Sequence, residues 1–340
     1  MQTNSRSTSF ARVIRVSMLA LVCQLFATET LIARDLAAPS PIPQQQAPGY
    51  YHQAIGNLRV TALFDGVLYL PRTQLLGITP AARDALIDRD LLPETANGLQ
   101  TSVNVFLIND GKRLMMVDTG SAQCFGPGLA QTLPNLRAAG YRPAEVSDIF
   151  ITHAHPDHLC GLLDAEGNAA YPNATVWLPG EDGAAFLAEG AEDHPGVPQT
   201  LRMFFAMQRA AVAPYRAQDR LRLFTAKDAL PAGVKAVAVH GHTPGHTAYL
   251  FDAIGAKPVL AWGDTLHYRA QFAHPEAHYQ YDADANHAVP ARQTLLERAA
   301  REDWWIAAAH VSFPGLGHVR RESQGYAWLP VEYSPLPTSP

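Results

Sequence analysis

The stretch Asp148–Gly161, "DIFITHAHPDHLCG", constrains this chain more than any other. A short apolar run leads into three histidines and an aspartate packed between His153 and His158. The apolar part reads as a buried strand, and the turn after a strand can aim several side chains at one point. Imidazole and carboxylate together suit Zn²⁺ and similar ions. A chance gathering of histidines in polar loops is the better account of any lone one, and His52, His194, His274, His278 and His287 are left to it. Chance is a poor account of this run, because candidate ligands follow other apolar segments in "HGHTPGHT" (240–247), "WGDT" (262–265) and "AAAHVSF" (307–313). The chain should therefore gather several loops around a metal site.

The segments between these loops alternate strand and helix. "LRVTALFDGVLYLP" and "TSVNVFLINDGKRLMMVDTG" carry apolar stretches on either side of Asp65-Gly66 and Asp110-Gly111, the short-range signal of β-hairpins. Leu129, Leu133, Leu136 and Ala139 recur at helical spacing and stop before Gly140. "ATVWLP" then reads as a strand and residues 199–212 as helix. "LRLFT", "VKAVAVHGH", "AYLFDA" and "PVLAWGD" read as further strands, and a late helix carries Leu295, Leu296, Ala299 and Ala300. Both halves run strands, a histidine-rich turn, then a helix, an order that two sheets covered by helices satisfy. At 340 residues and 47% hydrophobic the chain can bury a sizeable core, and no second domain boundary is visible after residue 49.

The start of the chain has a different composition. Arg6, Arg12 and Arg15 lie at the front of an apolar segment that runs to Ala27, with no acidic residue before Glu29. Residues 1–38 thus have the layout of a secretory signal, too short in its apolar core to span a bilayer. The expectation is an exported protein, periplasmic or secreted, with no stable membrane anchor. Residues 39–48 are a Pro/Gln-rich linker, and the folded domain is expected over 49–340. A net charge of −5 argues against a nucleic-acid partner. Cys124 and Cys160 leave three readings open: buried free thiols, which is the default, a disulfide across the site edge, or occasional metal ligation.

The His-x-His-x-Asp-His run with a later turn histidine, a post-strand aspartate and a late histidine resembles the metallo-β-lactamase superfamily. That resemblance implies an α/β fold, a four-layer αββα sandwich, with two divalent ions, zinc by expectation. It implies that His153, His155 and His246 hold one ion, that Asp157, His158 and His310 hold the other, and that Asp264 bridges them. Asp157 and Asp264 are then the catalytic carboxylates. Asp118, in "VDTG", is placed behind the ligands, where a carboxylate can fix the tautomer of a histidine.

Shorter segments extend the likeness. "APGYY", "FGP", "AAGY", "YPNA", "FPGLGH" and "PVEYS" resemble the methyl parathion hydrolase-like branch in the same order, over most of residues 47–334. The branch implies a homodimer and a hydrophobic pocket, at positions matched here by Leu70, Phe125, Phe186 and Phe204 or Phe205. Phe186 stands where a tryptophan is expected, and residues 267–281 are richer in histidine and tyrosine than the branch implies; both departures weigh against organophosphates.

Paired metals can share a water and lower its pKa from 15.7 to about 7, so a bridging hydroxide is the expected nucleophile, with no protein nucleophile required. No general acid is evident, which favours substrates with good leaving groups. The expected activity is hydrolysis of lactones, aryl esters or phosphotriesters. The alternatives are a β-lactamase, an iron-dependent sulfur dioxygenase of the same superfamily, and a binding protein without turnover.

Overall fold

Burial on both sides of a strand shows where its two faces point. In Leu114–Val117 every residue is buried and successive side chains face opposite ways. Leu114 and Met116 join one apolar cluster while Met115 and Val117 join another. The computed structural model describes residues 42–337 apart from 45, 127, 196 and 198. The described residues from Pro48 onward form one unit, and the signal segment expected over 1–38 lies outside the described residues.

The strands of the larger sheet lie side by side in the order Tyr50–Ile55, Leu58–Leu70, Gly98–Asn109, Leu114–Val117, Val146–Phe150, Thr175–Pro179 and Leu221–Phe224, with Glu94–Thr95 at the margin of Gly98–Asn109. It begins antiparallel and turns parallel from Leu114–Val117 onward. A second sheet orders Val234–Ala238, Thr247–Phe251, Val259–Ala261, Trp305–Ala307, Leu316–Arg321 and Tyr326–Pro330, with one parallel pair, Val259–Ala261 beside Trp305–Ala307. The last two strands have no counterpart in the sequence reading.

Three apolar clusters define four layers. Phe106, Ile108 and Phe150 of the larger sheet meet Tyr249, Phe251 and Val259 of the smaller one in the middle. The outer face of the larger sheet packs on helices Thr132–Ala138 and Arg202–Ala217 through Leu136, Ala211, Val212 and Tyr215. The outer face of the smaller packs on Ala285–Glu302 through Leu295, Leu296 and Ala299. This is the αββα sandwich.

Two local expectations change. Asp110-Gly111 is a hairpin turn between Gly98–Asn109 and Leu114–Val117, as expected. Asp65-Gly66 is instead a bulge inside the long strand Leu58–Leu70, where the register against Gly98–Asn109 shifts between Phe64 and Gly66. The bulge turns Asp65 inward, and its buried carboxylate accepts hydrogen bonds from the Ser121 and Thr132 amides and the Thr132 hydroxyl. Leu129 lies outside the helix that begins at Thr132.

The parallel strands set the site's position. Asp118 follows Leu114–Val117, the His153–His158 turn follows Val146–Phe150, and Asp182 follows Thr175–Pro179. Asp264 and His310 follow the parallel pair of the smaller sheet. Loops at the carboxyl ends of parallel strands open at one end of a sheet, where sites of α/β proteins collect.

Candidate metal centre

The turn "THAHPDH" is held from behind before it holds anything. Asp118 adopts φ +58, a left-handed conformation that costs a non-glycine residue energy. That backbone carries its carboxylate to the Thr152 amide at 2.8 Å, the Thr152 hydroxyl and Nδ1 of His158 at 2.8 Å. The last contact leaves Nε2 of His158 facing the centre, as expected for Asp118. Thr119 donates from both its amide and its hydroxyl to the His158 carbonyl. The chain packs so tightly here that a Cβ on Gly161 would lie 1.9 Å from the Thr119 oxygen.

Two groups of side chains converge, each with its ligand atoms within 4.8 Å of one another: His153, His155, His242 and Asp264, and Asp157, His158, Asp264 and His310. Asp264 belongs to both. Its Oδ1 lies 2.9 Å from His158 Nε2 and 3.1 Å from His310 Nε2, and its Oδ2 lies 3.1 Å from His242 Nε2 and 3.7 Å from His153 Nε2. Asp157 Oδ2 is 3.4 Å from both His158 and His310. Four ligands at about 2.1 Å from a tetrahedral zinc are separated by about 3.4 Å, the scale of these distances.

Within the first group His242 Nε2 and His155 Nδ1 form a hydrogen bond at 3.1 Å, whereas three other converging atoms have no such partner. His153 Nε2, His158 Nε2 and Asp264 Oδ1 are buried with no hydrogen-bond partner, which buried polar atoms rarely tolerate. The electrostatics point the same way. Burial pushes His310 down, but Asp264 and Asp157 overcome this and bring it up to about 10. Burial likewise opposes His242, which Asp264 and Asp282 bring up to about 9. Burial would raise Asp264, yet His310 and His158 hold it well below the usual carboxylate range. The carboxylates draw positive charge into a closed site, and divalent cations meet that demand by displacing the protons. The residues fit a pair of metal ions.

His246 is the one expected ligand that the structure places elsewhere. Its Nδ1 donates to the Val239 carbonyl at 3.0 Å and its Nε2 accepts the Asp264 amide at 3.0 Å. With both nitrogens occupied by backbone, its imidazole is held neutral, pushed down to about 3 by burial and then by His242. A Cβ on Gly263, at φ +55, would lie 2.6 Å from His246 Nε2, so glycine there allows the close approach. His246 positions Asp264, and His242 joins the converging group in its place. The motif "HGHTPGHT" offers three histidines, and nothing in it marks which one turns inward.

Three further residues were not singled out by the sequence. Asp182 is fully buried, accepting from the Ala154 and Gly245 amides and the Thr243 hydroxyl, and so clips the two histidine loops together. Asp282 accepts from His242 Nδ1 at 2.8 Å. His267 reaches Asp264 Oδ2 at 3.2 Å and stacks on His310 at 5.2 Å; a histidine three residues after Asp264 was the available signal. His310 Nδ1 donates to the Ser102 carbonyl at 2.7 Å.

The expected pocket residues separate into three environments. Phe186 lies edge-on to His155, with ring centres 6.0 Å apart, and is backed by buried Phe205. Phe125 and Phe204 form an edge-to-face pair at 5.5 Å, with Phe125 partly exposed. Leu70 packs instead with Leu75, Leu86, Leu99 and Tyr279, a cluster that the aromatic pairs do not join. Cys124 and Cys160 form a disulfide, which corrects the default of free thiols; their Cα atoms lie 6.3 Å apart, within the range a disulfide spans.

Comparison with known proteins agrees with this geometry. The "Probable metallo-hydrolase Rv2300c" of Mycobacterium tuberculosis is 27% identical over 276 residues, 70% of this chain and 84% of that protein. The crystal structure of the hydrolase AbOPH, described as in the beta lactamase superfamily, superposes with a TM-score of 0.80 at 33% identity, covering 86% of this chain and all of that one. AidC, a dizinc quorum-quenching lactonase solved with N-hexanoyl-L-homoserine, shares the fold with a TM-score of 0.72 at 22% identity over 84% of this chain and 99% of its own. Residues 98–310, which hold all the converging ligands, match the metallo-beta-lactamase superfamily, and the chain belongs to that family.

Proposed function

We propose that this chain is an exported, binuclear zinc hydrolase of lactones and aryl esters, in the methyl parathion hydrolase-like branch, with phosphotriesters as slower substrates. The observation that carries the reading is the pair of buried ligand groups sharing Asp264. Two divalent ions held there would supply an ionised water at neutral pH and polarise the substrate's carbonyl or phosphoryl oxygen.

The chain's own residues prepare the site for that chemistry. Asp118 and the Ser102 carbonyl take the Nδ1 hydrogens of His158 and His310, leaving both Nε2 atoms directed at Asp264 and Asp157. Asp264, its amide fixed by His246, sets both carboxylate oxygens between the two groups. Phe186 presents an apolar ring beside His155, and Phe125 with Phe204 adds further aromatic surface, which favours uncharged, hydrophobic acyl or aryl groups over ionic ones. The lactonase likeness of AidC supports the ester side of the reading. The disulfide supports export, since such bonds persist in oxidising compartments.

Metal analysis and a rate panel test this together. Two zinc ions per chain are expected, with turnover of a lactone and an aryl ester exceeding that of a phosphotriester and of a β-lactam. One iron per chain with oxygen uptake would overturn the hydrolase reading, and β-lactam as the best substrate would overturn the substrate class.

A further inference from the structure

Helix Ala285–Glu302 carries a cation where helices of this kind carry apolar side chains. Arg292 is 1% exposed, and each of its three guanidinium nitrogens donates inside the protein. Nε donates to the Thr265 carbonyl at 2.6 Å, Nη1 to the Ala277 carbonyl at 2.8 Å and more weakly to that of Pro275, and Nη2 to Asp282 Oδ2 at 3.1 Å. The other oxygen of Asp282 accepts His242 Nδ1 at 2.8 Å. One planar fork thus touches the residue after Asp264 and, through one carboxylate, His242. Arginine suits this because its donors are fixed in direction and its charge is permanent.

The backbone draws the same parts together. The amides of Ala283 and Asp284 donate to the carbonyls of His242 and Gly241. Gly241, at φ +127, comes so close to the helix start that a Cβ would lie 2.1 Å from the Ala288 amide nitrogen. The His242 loop is therefore seated on the helix that delivers Arg292.

Resting on the metal reading above, we propose that Asp282 and Arg292 are positioning residues that set the geometry of one metal position, the one formed by His153, His155, His242 and Asp264. Asp282 holds the Nδ1 hydrogen of His242 and so presents Nε2 to Asp264. Arg292 neutralises Asp282 and fixes, through the Thr265 carbonyl, the loop that brings Asp264 to the same point. Neither residue touches the other metal group, whose histidines are held by Asp118 and Ser102. Asp282 therefore acts on one ion of the two, while Arg292 supports Asp282 and, through the loop of the shared Asp264, reaches the second ion more weakly.

The test is chelator competition on the zinc-loaded full chain, with zinc per chain measured at each step. Wild type should hold two ions. Asp282→Asn should release one of them about 10- to 100-fold more readily, the usual loss when a carboxylate behind a ligand histidine is removed, and leave the second at wild-type affinity. In a His242→Ala background, which already weakens that ion, Asp282→Asn should add little, because the two act through one contact. Because Asp282→Asn leaves Arg292 buried without its counter-charge, the double variant Asp282→Asn/Arg292→Met removes that charge; it also frees the Thr265 carbonyl beside the shared Asp264, so it should release the first ion at least as readily as the single variant and weaken the second by a smaller factor. Wild-type affinity for both ions, or the same fold loss at both, in Asp282→Asn, or in the double variant where the single one does not fold, would overturn the inference while the two-ion reading stands. So would an undiminished further loss in the His242→Ala background. A wild-type chain that binds no pair of ions would overturn the metal reading itself and this inference with it.

Discussion

In the first half of the chain four candidate ligands, His153, His155, Asp157 and His158, come from one turn, whereas in the second half His242, Asp264 and His310 come from three loops separated by long stretches of sequence. The supports differ accordingly. The compact turn is braced by neighbours along the larger sheet: Asp118 from the adjacent parallel strand, Thr119 on the His158 carbonyl, and the Cys124–Cys160 disulfide just beyond. The dispersed residues are braced by one backbone carbonyl and by two side chains that stand outside the converging groups. His310 leans on Ser102, Asp264 on His246, and His242 on Asp282. A local motif needs only its own turn to be right, while a dispersed set depends on the registration of the second sheet and its helix.

Asp264→Ala is the most severe way to break this comparison, since Asp264 is the only residue common to both groups. Both ions should weaken by more than about 100-fold, beyond the loss typical of residues behind a ligand, and turnover should fall at least as far. Zinc titration with a parallel rate measurement checks it. A variant that kept two ions and its activity would place the bridge elsewhere.

The disulfide belongs to the compact arm and closes a loop between positions 36 apart in sequence. Loop-closure entropy assigns such a bond about 4 kcal/mol. Replacing both cysteines by serine should lower the melting temperature accordingly while zinc content stays at two, because neither sulfur belongs to a ligand group. Loss of an ion in that variant would show that the compact arm depends on its covalent brace and is not self-supporting.

How far the fold and site could be read follows the same division. "DIFITHAHPDH" announced a strand, a turn and four ligands because the information is contiguous, and those four converge as expected. Short apolar runs bounded by turn residues made most sheet strands legible. Asp65-Gly66 misled because a bulge and a hairpin turn use the same residues; what separates them is whether the partner strand continues past the glycine, a long-range fact. His246 misled for a related reason. Its motif fixes a turn, but which histidine faces inward is decided by the Val239 carbonyl and the Asp264 amide, which lie outside that turn. Asp182 and Asp282 were silent because a buried carboxylate that binds amides or a histidine looks, in sequence, like any loop aspartate.

The exchange of roles between His242 and His246 gives the next prediction. His242→Ala should release one ion and keep the other. His246→Ala should keep both and lose about 1–3 kcal/mol of stability, the cost of leaving a buried amide and carbonyl unpaired. Thermal melts of the zinc-free proteins together with zinc counts separate the two, and the opposite pattern would return His246 to the ligand set.

The smallest expected effect lies where the compact arm meets substrate. Phe186 touches His155 edge-on and rests on Phe205, so removing its ring takes away apolar surface beside a ligand without reaching any donor of the metal groups. An aromatic contact of this kind contributes about 1 kcal/mol, which corresponds to roughly a fivefold change in kcat/KM. Phe186→Ala should therefore lower kcat/KM for a hydrophobic aryl ester by about that factor, leave a small lactone nearly unaffected, and hold two zinc ions. If the ring served only to pack the core, both substrates would change together with the melting temperature. A change confined to the larger substrate would show that the compact arm supplies specificity as well as ligands.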